Sequence, residues 1–280
     1  MNDDSTPPDL LAVAEKAAEA GAEILRGYFR TQDLDIREKE ANDLVTRADH
    51  ESEAAILAII REHFPEHQVL AEESGLSAET GDYCWLIDPL DGTANFAHGL
   101  PTFCISIACH HRGEAVAAVV LEPLRGDHFS AAKGQGALWN GQPMHVSKRE
   151  GVGGAFLATG YPFRAKSALE LYLDVFRDTL LAARGVRRCG AAALDLAFTA
   201  AGVYDGFFEF RLSPWDIAAG ELLIKEAGGV ITDLDGGTNW LHSGNVLAGG
   251  AAVHRDLREI TSRHVSEGKL EELSPRQLAH

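Results

Sequence analysis

One stretch, residues 83–96, most constrains how this chain can fold, because an apolar run leads directly into two carboxylates. Residues 85–87, Trp-Leu-Ile, predict a short buried strand that ends at Pro89. Asp88 and Asp91 are three residues apart, and the proline between them and the glycine after them bend the backbone. We therefore expect both carboxylates to point into one small volume.

The turn after Asp91 predicts an anion site beside the carboxylates. Gly92 and Thr93 can begin a helix, and the free N–H groups at the start of a helix bind phosphate. Carboxylates and a bound anion repel each other unless cations lie between them. A hard divalent ion, Mg²⁺ above all, would bridge carboxylate and phosphate oxygens, so the stretch predicts a combined metal and phosphate site.

The charge balance argues against some classes of partner. The 280 residues include 42 Asp and Glu against 25 Lys and Arg, which gives a net charge of -17. A surface of this sign repels nucleic acid and anionic membranes, so we expect neither as a partner. No run reaches the ~18 apolar residues of a membrane span, and the first residues lack a basic and then apolar leader. We expect a cytoplasmic protein.

Apolar periodicity predicts helices together with clustered strands. Residues 8–29 repeat apolar positions at helical spacing, and residues 103–146 predict an antiparallel meander with glycine-containing turns. Because the strands do not alternate strictly with helices, we predict an α+β or layered α/β/α fold rather than a barrel. We divide the chain into an N-terminal α+β half, residues 1–150, which carries most metal ligands, and a C-terminal α/β half, residues 151–280, in a single compact unit.

Other acids lie where predicted elements begin or end, which is where functional sites are built. Glu72 follows a strand predicted over residues 69–71, and Asp216 is the third residue of a helix whose N-cap is Ser213. Asp216 could be a site ligand or a capping residue bonded back to Ser213. Asp49, at the start of an earlier helix, is on the residues alone better explained as a solvated or capping acid.

Four motifs follow one another along the chain: residues 43–49 (DLVTRAD), 72–74 (EES), 88–96 (DPLDGTANF) and 215–220 (WDIAAG). In this order and spacing they resemble the inositol monophosphatase family of Mg²⁺-dependent, lithium-sensitive phosphatases, over almost the whole chain. The resemblance implies a layered α/β/α/β/α sugar-phosphatase fold, a homodimer and two or three Mg²⁺ ions per site. It also implies hydrolysis of a small phosphorylated substrate, inositol 1-phosphate first, by metal-activated water without a phosphoenzyme.

The resemblance also assigns roles within the site. It implies that the metal ligands are four carboxylates and the backbone carbonyl of Leu90. The carboxylates are those of Glu72, Asp88, Asp91 and Asp216. Asp49 and Thr93 would polarise the attacking water, and Glu72 joins them as a catalytic residue. The backbone N–H groups of Gly92 and Thr93 would bind the phosphate.

The positions that would contact the substrate, besides Asp91, Gly92, Thr93 and Asp216, are Lys39, Gly190, Ala191, Ala192 and Glu209. Lys39 matches a basic position near the family's active site, and Glu209 matches a contact to substrate hydroxyls. Many members have Ser or Thr at Ala191, so hydroxyl recognition stays open here. Fructose 1,6-bisphosphate, histidinol phosphate, nucleotide 3'-phosphates and NADP, which relatives with the same metal residues hydrolyse, stay as alternative substrates.

Two alternatives differ in mechanism or class. Phosphatases that form an aspartyl-phosphate use Asp-x-Asp-Gly-Thr, whereas residues 88–93 have one residue more between the acids, a shift that in-line attack does not readily tolerate. A regulatory binding protein could also keep this fold, as some bacterial relatives are thought to contact transcription or ribosome-assembly machinery. The cluster of Arg184, Arg187 and Arg188 would then bind RNA or protein, or form ion pairs at a dimer interface.

Two further patterns have simple interpretations. The four cysteines, Cys84, Cys104, Cys109 and Cys189, contain no CxxC pair and predict free buried thiols rather than a disulfide or a zinc site. Residues 133–136, Lys-Gly-Gln-Gly, lack the spacing of a phosphate loop and predict a hairpin turn.

Overall fold

The structure is a computed structural model that describes residues 6–40, 43–162 and 166–265. A small antiparallel ladder joins β1 (Arg37–Glu40) and β2 (Asp43–Val45). The larger sheet contains eight strands: β3 (Gln68–Ala71), β4 (Gly75–Leu76), β5 (Tyr83–Asp91), β6 (Cys104–His111), β7 (Glu114–Glu122), β8 (Asp127–Ala132), β9 (Ala137–Trp139) and β10 (Gln142–Pro143). Their spatial order is β10-β9-β8-β7-β6-β5-β3-β4. All neighbours are antiparallel except β3 and β5, so the predicted meander is confirmed.

The smaller sheet contains five strands: β11 (Phe156–Thr159), β12 (Gly185–Arg187), β13 (Gly206–Glu209), β14 (Val230–Thr232) and β15 (Val246–Gly249). Their order is β12-β11-β13-β15-β14. The pairs that β11 forms with β12 and β13 are parallel, and those that β15 forms with β13 and β14 are antiparallel. The sheet is therefore mixed, as expected for a fold without strict βα alternation.

The helices are α1 (Pro7–Tyr28), α2 (Arg47–His63), α3 (Thr93–Ala97), α4 (Leu169–Ala182), α5 (Ala192–Ala200), α6 (Pro214–Glu226), α7 (Trp240–Ser243) and α8 (Ala251–Ser262). α1 and α2 cover one face of the larger sheet, and α5 and α6 lie between its other face and the smaller sheet. α4 and α8 cover the outer face of the smaller sheet. The layers run α/β/α/β/α, which confirms the predicted fold class.

Helix α6 lies in the central layer, and its burial explains why only its first residues are recognisable in the sequence. All of its residues from Asp216 to Ile224 are buried, because sheets or helices cover it on every side. A helix that is buried all round has no polar stripe, and the short motif that begins it, not its periodicity, identifies it. One hydrophobic core joins residues of both sheets around α6, among them Val120, Phe207 and Val246. The division of the chain near residue 150 stays a prediction.

The glycine-rich turn between β8 and β9 binds a carboxylate of the same chain. The N–H groups of Gly134 and Gly136 each donate to the carboxylate of Glu226, at 2.8 and 2.8 Å. The turn is thus a hairpin, as predicted, and its donors anchor the end of α6.

The four cysteines form no disulfide; Cys104 and Cys109 are buried, whereas Cys84 and Cys189 are only half-buried. In the part of the chain that the structure describes, no helix is long and apolar enough to span a membrane.

Close packing of α1 on α2 predicts a stability effect at Gly21. A Cβ there would come within 2.8 Å of Ser52 Oγ and within 2.9 Å of the Cδ1 atoms of Ile56 and Ile105. Overpacking of this kind costs about 1–3 kcal/mol, so Gly21→Ala should lower the free energy of unfolding by that amount in urea denaturation. Gly27→Ala on the same helix is the control, because a Cβ at Gly27 meets nothing within 4 Å and should leave stability unchanged or raise it by up to about 1 kcal/mol. Equal stability of the two variants would contradict the packing argument.

Candidate active site

Asp88 and Asp91 lie on β5, and a β-bulge turns both toward one side. Asp88 pairs with Ser106 of β6, and Asp91 pairs with Cys104. Between these two pairs the chain advances three residues along β5 but only two along β6. Residues three apart in a regular strand point to opposite faces, and one extra residue in a bulge reverses that relation. The predicted end of the strand at Pro89 is therefore wrong: the proline lies inside the bulge, where its missing N–H breaks no regular pairing.

A pocket forms where β5, α3, α6 and the segments around residues 160, 190 and 210 meet. Its wall includes these predicted site residues: Glu72, Asp88, Leu90, Asp91, Gly92, Thr93, Gly190, Ala191, Ala192, Glu209 and Asp216. Asp49 and Lys39 are not part of the wall, although both contact residues that are. The fold thus brings predicted site residues that are far apart in the sequence, from Glu72 to Asp216, into one concave surface.

Asp216 is both a capping residue and a residue of the pocket wall, the two positions that the sequence suggested for it. It is the third residue of α6, and one carboxylate oxygen accepts a hydrogen bond of 2.8 Å from the N–H of Ser213, which completes a capping box. The same side chain lines the pocket. Capping holds one oxygen in place and leaves the carboxylate at the wall, so the two roles are compatible.

Asp49 also caps a helix, and it reaches the pocket through Thr93. Its Oδ2 accepts hydrogen bonds from the N–H and the hydroxyl of Thr46, at 2.8 and 2.7 Å, at the start of α2. Its Oδ1 lies 3.0 Å from Thr93 Oγ1, which is also 3.0 Å from the carbonyl oxygen of Leu90. Asp49 is fully buried. The hydroxyl of Thr93 is therefore oriented by a carboxylate that lies behind the pocket wall.

The turn at Gly92 requires glycine and is attached to a distant segment. Gly92 has φ +96°, and a Cβ there would come 3.0 Å from the carbonyl oxygen of Thr102. Asn95 Nδ2 donates to the carbonyl oxygens of Thr102, at 2.7 Å, and of Cys189, at 2.9 Å. This side chain holds the turn against the segment before α5, so the two walls of the pocket keep a fixed spacing.

Lys39 lies beside Glu72 and outside the pocket wall. Its Nζ is 3.3 Å from Glu72 Oε1 and forms an ion pair with Glu73. The backbone N–H of Glu73 in turn donates to Glu53 Oε2 at 2.9 Å. Lys39 thus orients the acidic pair that leaves β3, and no contact in the described ranges places it against a substrate.

Several residues of the pocket wall were not predicted as site residues from the sequence, and Gly160 and Arg188 are the two with the clearest roles. Gly160 lines the wall, and a Cβ at this position would come 1.7 Å from Glu209 Oε1, so the glycine makes room for that carboxylate. Arg188 lines the same wall, whereas Arg187 stacks on Phe156 with its Cζ 4.6 Å from the ring centroid. The basic cluster is therefore divided between two environments. No sequence motif marks Gly160. Arg188 was noticed only as part of the basic cluster with Arg184 and Arg187, and that grouping did not indicate that Arg188 alone lines the pocket.

Known proteins resemble this chain in sequence and in fold. The Inositol monophosphatase family profile matches residues 7–269. The chain belongs to the inositol monophosphatase family. It is 44% identical over 262 residues to the Nus factor SuhB of Pseudomonas aeruginosa, covering 91% of this chain and 97% of that protein. It is 42% identical over 261 residues to the chloroplastic phosphatase IMPL1 of Arabidopsis thaliana, covering 91% of this chain and 70% of that protein. The structure of the inositol monophosphatase from Anabaena aligns with a TM-score of 0.83 at 36% identity, covering 93% and 98% of the two chains.

The electrostatics of the site suit the metal that this family generally uses. Burial, and then the charges of Glu72, Asp91 and Asp216, raise the pKa of Asp88 well above its usual value. Burial raises the pKa of Asp91 to about 6, partly offset by a 2.7 Å hydrogen bond from the N–H of Ala193. Buried carboxylates that repel one another form an all-oxygen donor set for a hard divalent cation. Within the described ranges no three candidate ligands already converge on one point, so a bound ion would draw these side chains together.

The raised pKa values predict how pH changes the stability of the metal-free protein. Burial raises the pKa of Asp49 and of Asp91 to about 6, from 3.8. Between pH 3.8 and about pH 6 the folded state binds more protons than the unfolded state. The free energy of unfolding therefore falls as the pH rises through this range. In EDTA, the Tm should fall by a few degrees between pH 5 and pH 7, and less in Asp91→Asn. Thermal unfolding across this range measures it, and identical pH dependence in both proteins would contradict the account.

Proposed function

We propose that this protein is a Mg²⁺-dependent phosphate monoester hydrolase with inositol 1-phosphate as its first candidate substrate. One observation carries the proposal: a single pocket holds the carboxylates of Glu72, Asp88, Asp91 and Asp216 next to the turn at Gly92. Buried carboxylates are costly unless a cation neutralises them, and the cap that Asp216 provides to α6 does not by itself explain three buried acids in one pocket, Asp88, Asp91 and Asp216. Family membership supports the same chemistry, and it is the basis for proposing lithium sensitivity, a homodimer and a cytoplasmic location.

The acids and one carbonyl would hold the ions. As the family resemblance implies, Glu72, Asp88 and the Leu90 carbonyl would form one ligand group, and Asp88, Asp91 and Asp216 would form another, with Glu72 also available to a weaker third ion. Mg²⁺ bound there would neutralise the phosphate, stabilise the charge that develops on the leaving oxygen and activate water. Because the uncatalysed reaction is among the slowest known, the barrier must fall by on the order of 20 kcal/mol or more.

Thr93 and Asp49 would position the attacking water. The Thr93 hydroxyl lines the pocket and donates to Asp49 Oδ1 at 3.0 Å, so its oxygen can accept a hydrogen bond from water, and as water attacks, Thr93 would take that proton while its own proton passes to Asp49. Burial raises the pKa of Asp49 to about 6, which suits a group that accepts a proton near neutral pH. Attack by water leaves the phosphoryl group unattached to the protein throughout.

The rest of the wall would hold the ester. The N–H groups of Gly92 and Thr93 would bind phosphate oxygens, and Glu209 would accept hydrogen bonds from ring hydroxyls. Gly190, Ala191 and Ala192 would pack against the ring. Ala191 is nearly fully buried and offers no side-chain hydroxyl, so Glu209 would carry most of the hydroxyl recognition.

Phosphate release from a panel of esters tests this proposal. The panel holds inositol 1-phosphate, fructose 1,6-bisphosphate, histidinol phosphate, adenosine 3',5'-bisphosphate and NADP, each with Mg²⁺ or with chelator. We expect Mg²⁺-dependent release, fastest from inositol 1-phosphate. Preference for another ester would replace the substrate and keep the reaction class, whereas no release from any ester, with metal still bound, would reject the hydrolase.

A regulatory binding role is a second candidate. It is favoured by relatives at 43–44% identity that are named Nus factor SuhB. Arg184 and Arg187 are exposed and would supply the contact surface. Reversing both charges should weaken capture of RNA or of a protein partner while dimer mass, measured by light scattering, stays constant. Loss of the dimer instead would assign these arginines to self-association.

A further inference from the structure

The pocket contains a cation that the proposed hydrolysis does not use. Arg188 lines the wall between Gly190 and Tyr161, and its Cζ lies 5.2 Å from the centroid of the Tyr161 ring. Stacking on an aromatic ring restrains a guanidinium and keeps its N–H donors at the ring's edge available. The side chain is thus partly oriented before any ligand arrives.

Backbone shape leaves space for this arginine. Gly190 has φ +85°, and a Cβ there would come 2.7 Å from Arg188 Nη1. Glycine at this position therefore accommodates the guanidinium as well as the turn. Arg188 lies on the same wall as Glu209, which the family resemblance assigns to substrate hydroxyls.

No carboxylate among the described residues neutralises Arg188. Its charge acts on Glu209 and Asp195, yet neither lies within the 4.0 Å of an ion pair, and no hydrogen bond from Arg188 joins it to the described part of the chain. In a protein with a net charge of -17, ion pairs are readily available to a surface arginine. A guanidinium that has no carboxylate partner among the described residues, at the rim of an acidic pocket, is therefore suited to an anion that arrives from solvent.

We propose that Arg188 is a specificity-determining residue that binds a second phosphate group on a polyol phosphate. The guanidinium offers a planar fork of donors that matches phosphate oxygens in pairs. The first phosphate would lie at the turn of Gly92, the ring hydroxyls at Glu209, and the second phosphate at Arg188. This inference rests on the proposed hydrolase function and adds the residue that would favour a bisphosphate over a monophosphate.

A matched pair of esters tests it: inositol 1,4-bisphosphate and inositol 1-phosphate, which share the group to be cleaved. Hydrogen bonds to charged groups are worth about 1.5–3 kcal/mol, so Arg188→Gln should lower kcat/KM for the bisphosphate by about 10- to 100-fold. It should change kcat/KM for the monophosphate by less than about threefold. Arg188→Lys should fall between, because lysine keeps the charge and loses the fork. Arg187→Gln, the neighbouring arginine outside the pocket, should leave both values unchanged.

Other outcomes would overturn the inference. An equal loss on both esters, with a fall in dimer mass by light scattering, would assign Arg188 to the dimer interface. An unchanged ratio of the two kcat/KM values in Arg188→Gln would show that the arginine does not select the substrate. If the wild-type protein hydrolyses neither ester, the proposed function fails, and calorimetry with non-hydrolysable 1-phosphonate analogues of the pair decides the role of Arg188 separately. Tighter binding of the bisphosphate analogue, lost in Arg188→Gln, supports the inference, and equal binding of the two analogues rejects it.

Discussion

Asp91→Asn should lower kcat for inositol 1-phosphate by about 10³-fold or more and leave the fold intact. Asn keeps the shape of the side chain and can still accept the 2.7 Å hydrogen bond from the N–H of Ala193. It removes the negative charge that would hold a cation against the phosphate. Loss of a single preorganised electrostatic group in a buried site costs on the order of 10²–10³ in kcat, and loss of a metal ligand exceeds this.

The same substitution should raise the Tm of the metal-free protein at pH 7.5. Burial raises the pKa of Asp91 to about 6, so its ionised form at pH 7.5 is costly in the absence of metal, and Asn removes that cost. Added Mg²⁺ should then stabilise the wild-type protein more than the variant. Asp233→Asn is the matched control, because Asp233 is buried outside the pocket and should keep kcat within about threefold. An Asp91→Asn protein with a full Mg²⁺-induced rise in Tm would remove Asp91 from the ligand set.

Gly160→Ala should raise KM for inositol 1-phosphate about tenfold or more with little loss of stability. A Cβ at Gly160 would come 1.7 Å from Oε1 and 2.4 Å from Oε2 of Glu209. Only the end of a flexible side chain has to move, so the fold tolerates the methyl group. The carboxylate, however, leaves the position from which it would accept hydrogen bonds from ring hydroxyls, each worth about 1.5–3 kcal/mol when a charged group is involved.

The choice of substrate separates positioning of Glu209 from general damage. Phenyl phosphate has no ring hydroxyls, so Gly160→Ala should change its kcat/KM by less than about threefold. Gly153→Ala provides the control for the substitution itself, since a Cβ at Gly153 meets nothing within 4 Å. A similar loss on both esters would show that Gly160 supports the whole pocket rather than the contact made by Glu209.

The order of elements could be predicted from the sequence because most of them are buried on a regular pattern. In β6, Ile105 and Ile107 face the core under α1 and α2, whereas Cys104 and Ala108 face the core around α6. Both faces are covered, so the strand is a continuous apolar run. The small β1–β2 ladder, with sequence REKE and DLV, carries no such signal and was not predicted.

The bulge at Pro89 marks the limit of sequence reasoning about the site. Proline indicates a break in regular pairing, which is correct, but the break is one inserted residue instead of the end of the strand. That difference decides the direction of the two carboxylates. Sequence spacing alone suggested their convergence, and the register of β5 on β6 supplies the reason.

Contacts between distant segments were least predictable. Thr93 and Asp49 are 44 residues apart, and Gly160 and Glu209 meet through two neighbouring strands. No local pattern encodes such distances. The resemblance to a family supplied the role of Asp49, whereas Gly160 and Arg188 required coordinates.

A single-turnover reaction in H₂¹⁸O with Mg²⁺ tests the central claim most directly. Enzyme in excess over inositol 1-phosphate is quenched at several times within the first turnover, and the phosphate and the protein are analysed by mass spectrometry. The account predicts Mg²⁺-dependent release of phosphate with one ¹⁸O atom and no phosphoryl group on any aspartate at any time. A phosphorylated aspartate, or no release of phosphate from a protein that binds Mg²⁺, would contradict it.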